Sequence, residues 1–206
     1  MVAALAGTPH ALAAPPSIDG VPHAGSTDPL IAESVLAAAG VPPSVVARAL
    51  PAIFDGASAT IDAVMAKEAA RACSGGRGGG IPTVLPGVVD LLAALRSAGV
   101  VVGLVTGSLE GIAWAKVRAV GLGDYFGGGG HGSDVPDRGV FLATCMRRAG
   151  TGGWATGFRL AAVAAGARGL GVTTGVFGAG TLWAAGATEV LDGLADTRRV
   201  LDVLGV

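Results

Sequence analysis

The 206-residue sequence predicts an α/β protein, a parallel sheet flanked by helices and interrupted once by an inserted helical segment. Three observations predict it. From Pro86 onward, short apolar runs of strand length alternate with longer helical patterns. One of those runs, VVVGLV, is nearly continuous in apolar character, as a strand covered on both faces is. Between the first and second strand patterns, residues 28–72 read as helix.

The opening letters MVAALAGTPH hold a short buried strand, Val2 to Ala6, which stops at Gly7-Thr8. A Pro-rich connection, HALAAPPSIDGVPHAGS, follows. Asp28-Pro29 supply an N-cap and a proline at the first helical position. The helix PLIAESVLAAA ends at Gly40, a natural residue past a helix C-terminus. Pro42-Pro43 begin a second helical stretch, expected to break at Pro51 and resume towards Ala72. CSGGRGGG reads as a linker. Pro86 opens GVVDLLAALRSA, which Gly99 stops, and VVVGLV runs as a strand into TGS. Leu109 to Val120 and Val135 to Ala149 are helices. GLGVTTG is a strand, TLWAAGA a short helix, TEVLDGL a strand and DTRRVLDVLG the last helix. The expected division is a core of residues 1–15 and 80–206 and a helical cap of residues 16–79.

Composition narrows the function. An apolar fraction of 51% and a mean hydropathy of +0.62 are ample for a core. With 36 Gly and 4% aromatic residues, that core is built from small side chains and close backbone contacts. The formal charge of -1 and the lack of a basic stripe exclude the electrostatics of nucleic-acid binding. Cys73 and Cys145 form no C-x-x-C pair and are expected to be free or buried thiols. No apolar run is expected to reach the ~20 residues that cross a bilayer. The N-terminus lacks a positive region, and Gly-Thr-Pro-His interrupts its apolar stretch, so no secretion signal is read and a cytoplasmic protein without a membrane partner is expected.

The stretch PGVVDLLAALRSAGVVVGLVTGSLEGIAWAKVRAVGLGDYF resembles the haloacid dehalogenase (HAD) superfamily, especially its phosphoglycolate-phosphatase-like branch. GVTTGVFGAGTLWAAGATEVLDGLADTRRVLDVLG fits the same family, GVPHAGSTDPLIAESVLAAAGV resembles the start of its helical cap, and GSDVPDRGVFLATCMRRAG resembles the stretch after its Lys-bearing helix. The resemblance covers most of the chain and implies a Rossmann-like core with a small inserted cap. It also implies phosphoryl transfer to an Asp nucleophile, a second Asp two residues on as acid and base, and Mg²⁺ held by these and by acids at the end of another strand. A Thr or Ser and a Lys grip the phosphate.

Placed on that pattern, Thr106 and Lys116 match the phosphate-gripping hydroxyl and the charge-balancing lysine. Ala4 and Ala6 stand where the two aspartates of hhhDxDGT belong, with Gly7-Thr8 kept. Counting back from Ala165-Gly166-Ala167 puts Trp154 and Phe158 at the two Asp positions of GDTxxD, with little room for the strand before them. The Arg of a GRTD pattern is Ser26. The family reaction is therefore expected to be absent, and no metal or other cofactor is expected.

Each remaining candidate has two readings. Thr106 and Ser108 end a strand at the edge where open α/β sheets bind ligands, and equally suit a turn with an N-cap. Lys116 is either a pocket cation or a solvated helix lysine. Trp154 and Phe158 either line an apolar pocket, with Thr8 at its phosphate-loop side, or simply fill a dead site. His10, His131 and Asp134 are the candidate acid/base groups near the sheet end, although a lone loop histidine is commonly just exposed. GGGG lacks the spacing of a P-loop. Three functions follow. One is a repurposed pocket for a small apolar or aromatic metabolite, with a metal-free cyclisation, isomerisation or elimination in specialised metabolism assisted by His10, His131, Asp134 or Lys116. The second is a non-catalytic partner of another protein. The third is a working phosphatase whose motif register differs.

Overall fold

The computed structural model describes residues 5–6, 17–18, 21–22, 26–73, 83–134, 154–156, 168–175 and 177–206. In chain order these form β1 (Leu5–Ala6), β2 (Ser17–Ile18), β3 (Val21–Pro22), α1 (Asp28–Ala38), α2 (Pro43–Cys73), β4 (Thr83–Val84) and α3 (Val88–Ser97). Then come β5 (Leu104–Val105), α4 (Glu110–Ala119), a 3-10 turn at Gly123–Tyr125, β6 (Gly129–Gly130) and β7 (Trp154–Thr156). β8 (Arg168–Val172), α5 (Ala179–Ala184), β9 (Glu189–Leu191) and α6 (Thr197–Leu204) complete the series. The helix expected over Val135 to Ala149 and the glycine-rich linker after Cys73 lie outside the described residues.

The parallel α/β class is the one observed. β5 pairs parallel with β6, and β7, β8 and β9 pair parallel in that order. One apolar core joins both groups. Leu91, Leu92 and Leu95 of α3, Leu104 of β5, Ala113 and Val117 of α4, Leu170 of β8, Leu191 of β9 and Val200 of α6 pack as one cluster. α3 reaches it by apolar positions three and four apart, and it begins at Gly87 with φ of +81°. A Cβ there would collide with the Leu194 carbonyl, so glycine lets α3 press on the chain leading into α6. α6 begins under Asp196, whose carboxylate accepts from the Arg199 N–H, and ends at Gly205 in the left-handed region.

Several expectations need correction. VVVGLV is a regular strand only at Leu104–Val105, although backbone bonds from Gly127 to Val102 and from Thr106 to Gly130 extend the pairing on either side. β1 pairs antiparallel with β4, Leu5 opposite Val84, rather than joining the parallel strands. This places the chain's exit into residues 16–79 beside its return, as the two ends of an insertion require. β2 and β3 form a hairpin, Ile18 opposite Val21, within what reads as a Pro-rich connection. The intervening Asp19-Gly20 is the strongest short hairpin signal a sequence carries.

α2 does not break at Pro51. Proline removes the bond to the Ala47 carbonyl, but Ala47 and Pro51 are both exposed, so water can satisfy that carbonyl. The result is one helix whose Pro43–Lys67 portion is long and apolar enough, by length and composition, to cross a membrane, contrary to the expectation of no such stretch. Here that portion lies along α4, with Ser58 against Gly111 and Asp62 paired with Arg118 at 3.0 Å. In the segment where little room for a strand is expected, the described residues Trp154–Thr156 form the short strand β7, in register with β8 from Trp154↔Arg168 to Thr156↔Leu170.

Candidate functional site

The loop from β5 into α4 gathers the groups that the sequence singles out. Thr106 follows the last strand residue, and its Oγ1 accepts from the Ser108 N–H at 3.2 Å. This bond closes a tight turn and holds the Thr106 hydroxyl. Lys116, two turns into α4, reaches back so that its Nζ donates to Ser108 Oγ at 3.3 Å. A cation and two hydroxyls thus meet at the C-terminal end of β5. All three residues are half-buried, which leaves them open to a ligand while weakening water's competition for them.

α4 also needs its N-terminal N–H groups satisfied. Leu109 stands at its N-cap and has no oxygen to offer. Asp28 serves instead: its Oδ2 accepts from the Leu109 N–H at 3.0 Å, and its own N–H donates to the Gly107 carbonyl at 2.8 Å. Asp28 is therefore not the N-cap of α1. Thr27 holds that position, without a side-chain cap bond. Ser133 supplies a further partner, its Oγ accepting from the Glu110 N–H at 3.2 Å.

His131 and Asp134 lie on the same side of the fold as this loop. Gly132 donates its N–H to the Ser108 carbonyl at 2.8 Å. A Cβ on Gly132 would strike the Gly107 carbonyl and come within 3.3 Å of Thr27 Cβ, so only glycine lets the three segments close up. The Asp134 carboxylate accepts from the His131 N–H at 2.9 Å and lies 3.7 Å from Nδ1, while Glu110 Oε1 lies 3.9 Å from the same nitrogen. The imidazole is 3% exposed and sits 5.8 Å from the Trp114 ring. The expectation of an exposed loop histidine is corrected: His131 is packed and held on its carboxylate side.

Trp114 and Lys116 are two positions apart on α4, so about 200° apart around it. The His131 ring lies by Trp114, and Lys116 reaches back to Ser108. Thr106, Ser108 and Lys116 are joined by one set of hydrogen bonds and His131 and Asp134 by another, and the Gly132 N–H to the Ser108 carbonyl links the two. Ala4, Thr8, His10 and Phe158 lie outside the described residues. Ala6 is in β1. Trp154 is the first residue of β7. Asp28 was missed as a site residue because its partners lie 79 and 81 positions away, where no local pattern reaches.

The resemblance implies Mg²⁺, which takes oxygen donors in a near-octahedral array. Asp28 and Asp134 each already accept from a backbone N–H. Among the described residues, no group of three or more His, Cys, Asp or Glu converges to hold a metal. The described side chains do not fit the ion.

Comparison with known proteins agrees with this architecture. The sequence matches the haloacid dehalogenase-like hydrolase family over residues 28–167, more than half of the chain and downstream of Ala4 and Ala6. No curated protein matches it. Among solved structures it is similar to a HAD family hydrolase from Deinococcus radiodurans with bound phosphate and sodium, at 27% identity, TM-score 0.54, and coverage of 60% of this chain and 61% of that one. It is also similar to CbbY from Rhodobacter sphaeroides in complex with phosphate, at 20% identity, TM-score 0.52, and coverage of 75% and 67%. A HAD phosphatase from Thermococcus onnurineus follows at 21% identity, TM-score 0.51, and coverage of 58% and 59%. The chain spans about three fifths of the length of most of the structures it matches. The family match and the shared fold together establish that the chain belongs to the haloacid dehalogenase-like hydrolase family.

Proposed function

We propose that this chain keeps the family's anion grip without its phosphotransfer machinery, and binds a small metabolite through an anionic or carbonyl group at the end of β5. The observation that carries the reading is Lys116 Nζ on Ser108 Oγ, with Thr106 in the same turn. A lysine and two hydroxyls serve a phosphate or carboxylate oxygen well. The related Deinococcus radiodurans hydrolase was solved with phosphate, which supports a ligand of that chemistry.

Hydrolysis by the family route lacks its reactive groups. The chain has no Asp or Glu before Asp19 and none between Asp137 and Glu189. No register of the first or last motif within those stretches supplies a carboxylate nucleophile or the metal-binding acids. A methyl group at Ala4 or Ala6 cannot attack phosphorus. Trp154 and Phe158 instead suit a ligand with an apolar or aromatic body.

A metal-free cyclisation, isomerisation or elimination in specialised metabolism would draw its proton transfer from His131 with Asp134, or from His10. Hydrogen bonds tie Lys116 to Ser108 and His131 to Asp134, so binding is the part of this reading that the described geometry supports best. A non-catalytic scaffold for a protein partner is the alternative, with the cleft filled by Trp154 and Phe158 and an apolar patch elsewhere as its contact. Family membership is the observation that favours the phosphatase reading.

One assay separates these readings. The full chain is titrated with inorganic phosphate and then given an aryl phosphate with Mg²⁺. Saturable phosphate binding without turnover is expected. Mg²⁺-dependent turnover that stays with the protein through repurification would establish the phosphatase instead.

A further inference from the structure

Asp28 holds the loop past β5 on both sides of one residue. Its N–H bonds the carbonyl of Gly107, its carboxylate bonds the N–H of Leu109, and Ser108 lies between. Ser108 is the residue that receives Lys116 on its hydroxyl and Gly132 on its carbonyl. The neighbouring Thr27 is 1% exposed and packs against Gly132. Its hydroxyl makes no hydrogen bond among the described residues, so packing against the loop, rather than capping of α1, accounts for its place. α4 cannot fix its own start, because Leu109 has no capping oxygen. The start of α4, and with it Ser108, is set by a residue of α1.

We propose that Asp28 is the positioning residue of the anion grip. It seats Ser108 where Lys116 can share it with a ligand, and so makes ligand affinity depend on how α1 is docked. The proposal rests on the anion-binding reading above. The requirement is for an acceptor at this point, and a negative charge is not needed. Asn meets that requirement with its side-chain carbonyl, and Ala does not.

The test titrates inorganic phosphate into the full-length wild type, D28A and D28N, and follows amide exchange in the same samples. D28A is expected to bind phosphate about tenfold more weakly, with faster exchange at residues 107–110 and unchanged protection in α3 and α6. D28N is expected to restore affinity to within about threefold and to restore the protection. Folded D28A that binds like the wild type would overturn the proposal and leave the anion reading standing. D28N as weak as D28A would also overturn it, since charge rather than the acceptor would then be at work. Absence of phosphate binding by the wild type would overturn the anion reading, and the proposal with it.

Discussion

On the proposed placement, residues 106–116 and residues 138–188 stand opposite two parts of the family's phosphate site. The first part keeps its hydroxyls and its lysine. The second has no Asp or Glu at all. The difference follows from what else each set does. Thr106 Oγ1 closes the turn on the Ser108 N–H, and Ser108 Oγ anchors Lys116. These bonds build the loop whether or not a phosphate arrives. Clustered carboxylates have no such second task. Without a cation between them they repel, so on the proposed reading their absence would relieve strain.

The comparison can be broken from the packing side first. Gly132→Val forces a side chain into the Gly107 carbonyl and Thr27, and is expected to cost about 2–3 kcal/mol in urea unfolding and to abolish phosphate binding. A stable, binding-competent variant would show that the three segments are not closely joined. Lys116→Met is expected to weaken phosphate binding by more than about tenfold while shifting the urea midpoint little, because the apolar stem is kept. A large stability loss would mean that Lys116 is structural. Ser108→Ala loses one side-chain bond, with about 0.5–1.5 kcal/mol of stability and a few-fold of affinity expected to go together. The smallest effect belongs to Arg118→Ala, far from either part. Its ion pair with Asp62 is exposed, so about 0.2–1 kcal/mol is expected, falling further in high salt.

The sequence made the parallel α/β class legible through the alternation after Pro86, and the helix ends at Gly40, Gly99 and Gly121 all have positive φ as C-terminal glycines do. The grip was legible too, since Thr106, Ser108 and Lys116 lie within one strand–turn–helix unit. Long-range geometry was not. Asp28 reads locally as a helix cap, and its actual partners are Gly107 and Leu109. Pro51 misled because the local rule counts a lost hydrogen bond and ignores that the freed carbonyl is exposed. Counting back from Ala165-Gly166-Ala167 fixes a distance along the chain, whereas pairing with β8 fixes Trp154–Thr156 as strand.

The most direct measurement is aryl phosphate hydrolysis by the full chain and by the Ala4→Asp, Ala6→Asp double variant, with Mg²⁺ in excess and phosphate binding followed alongside. The account predicts that both proteins bind phosphate and that neither turns over substrate, because the segment from residue 138 to 188 supplies no acid for the metal. Mg²⁺-dependent turnover by either protein, lost on Lys116→Met, would contradict it.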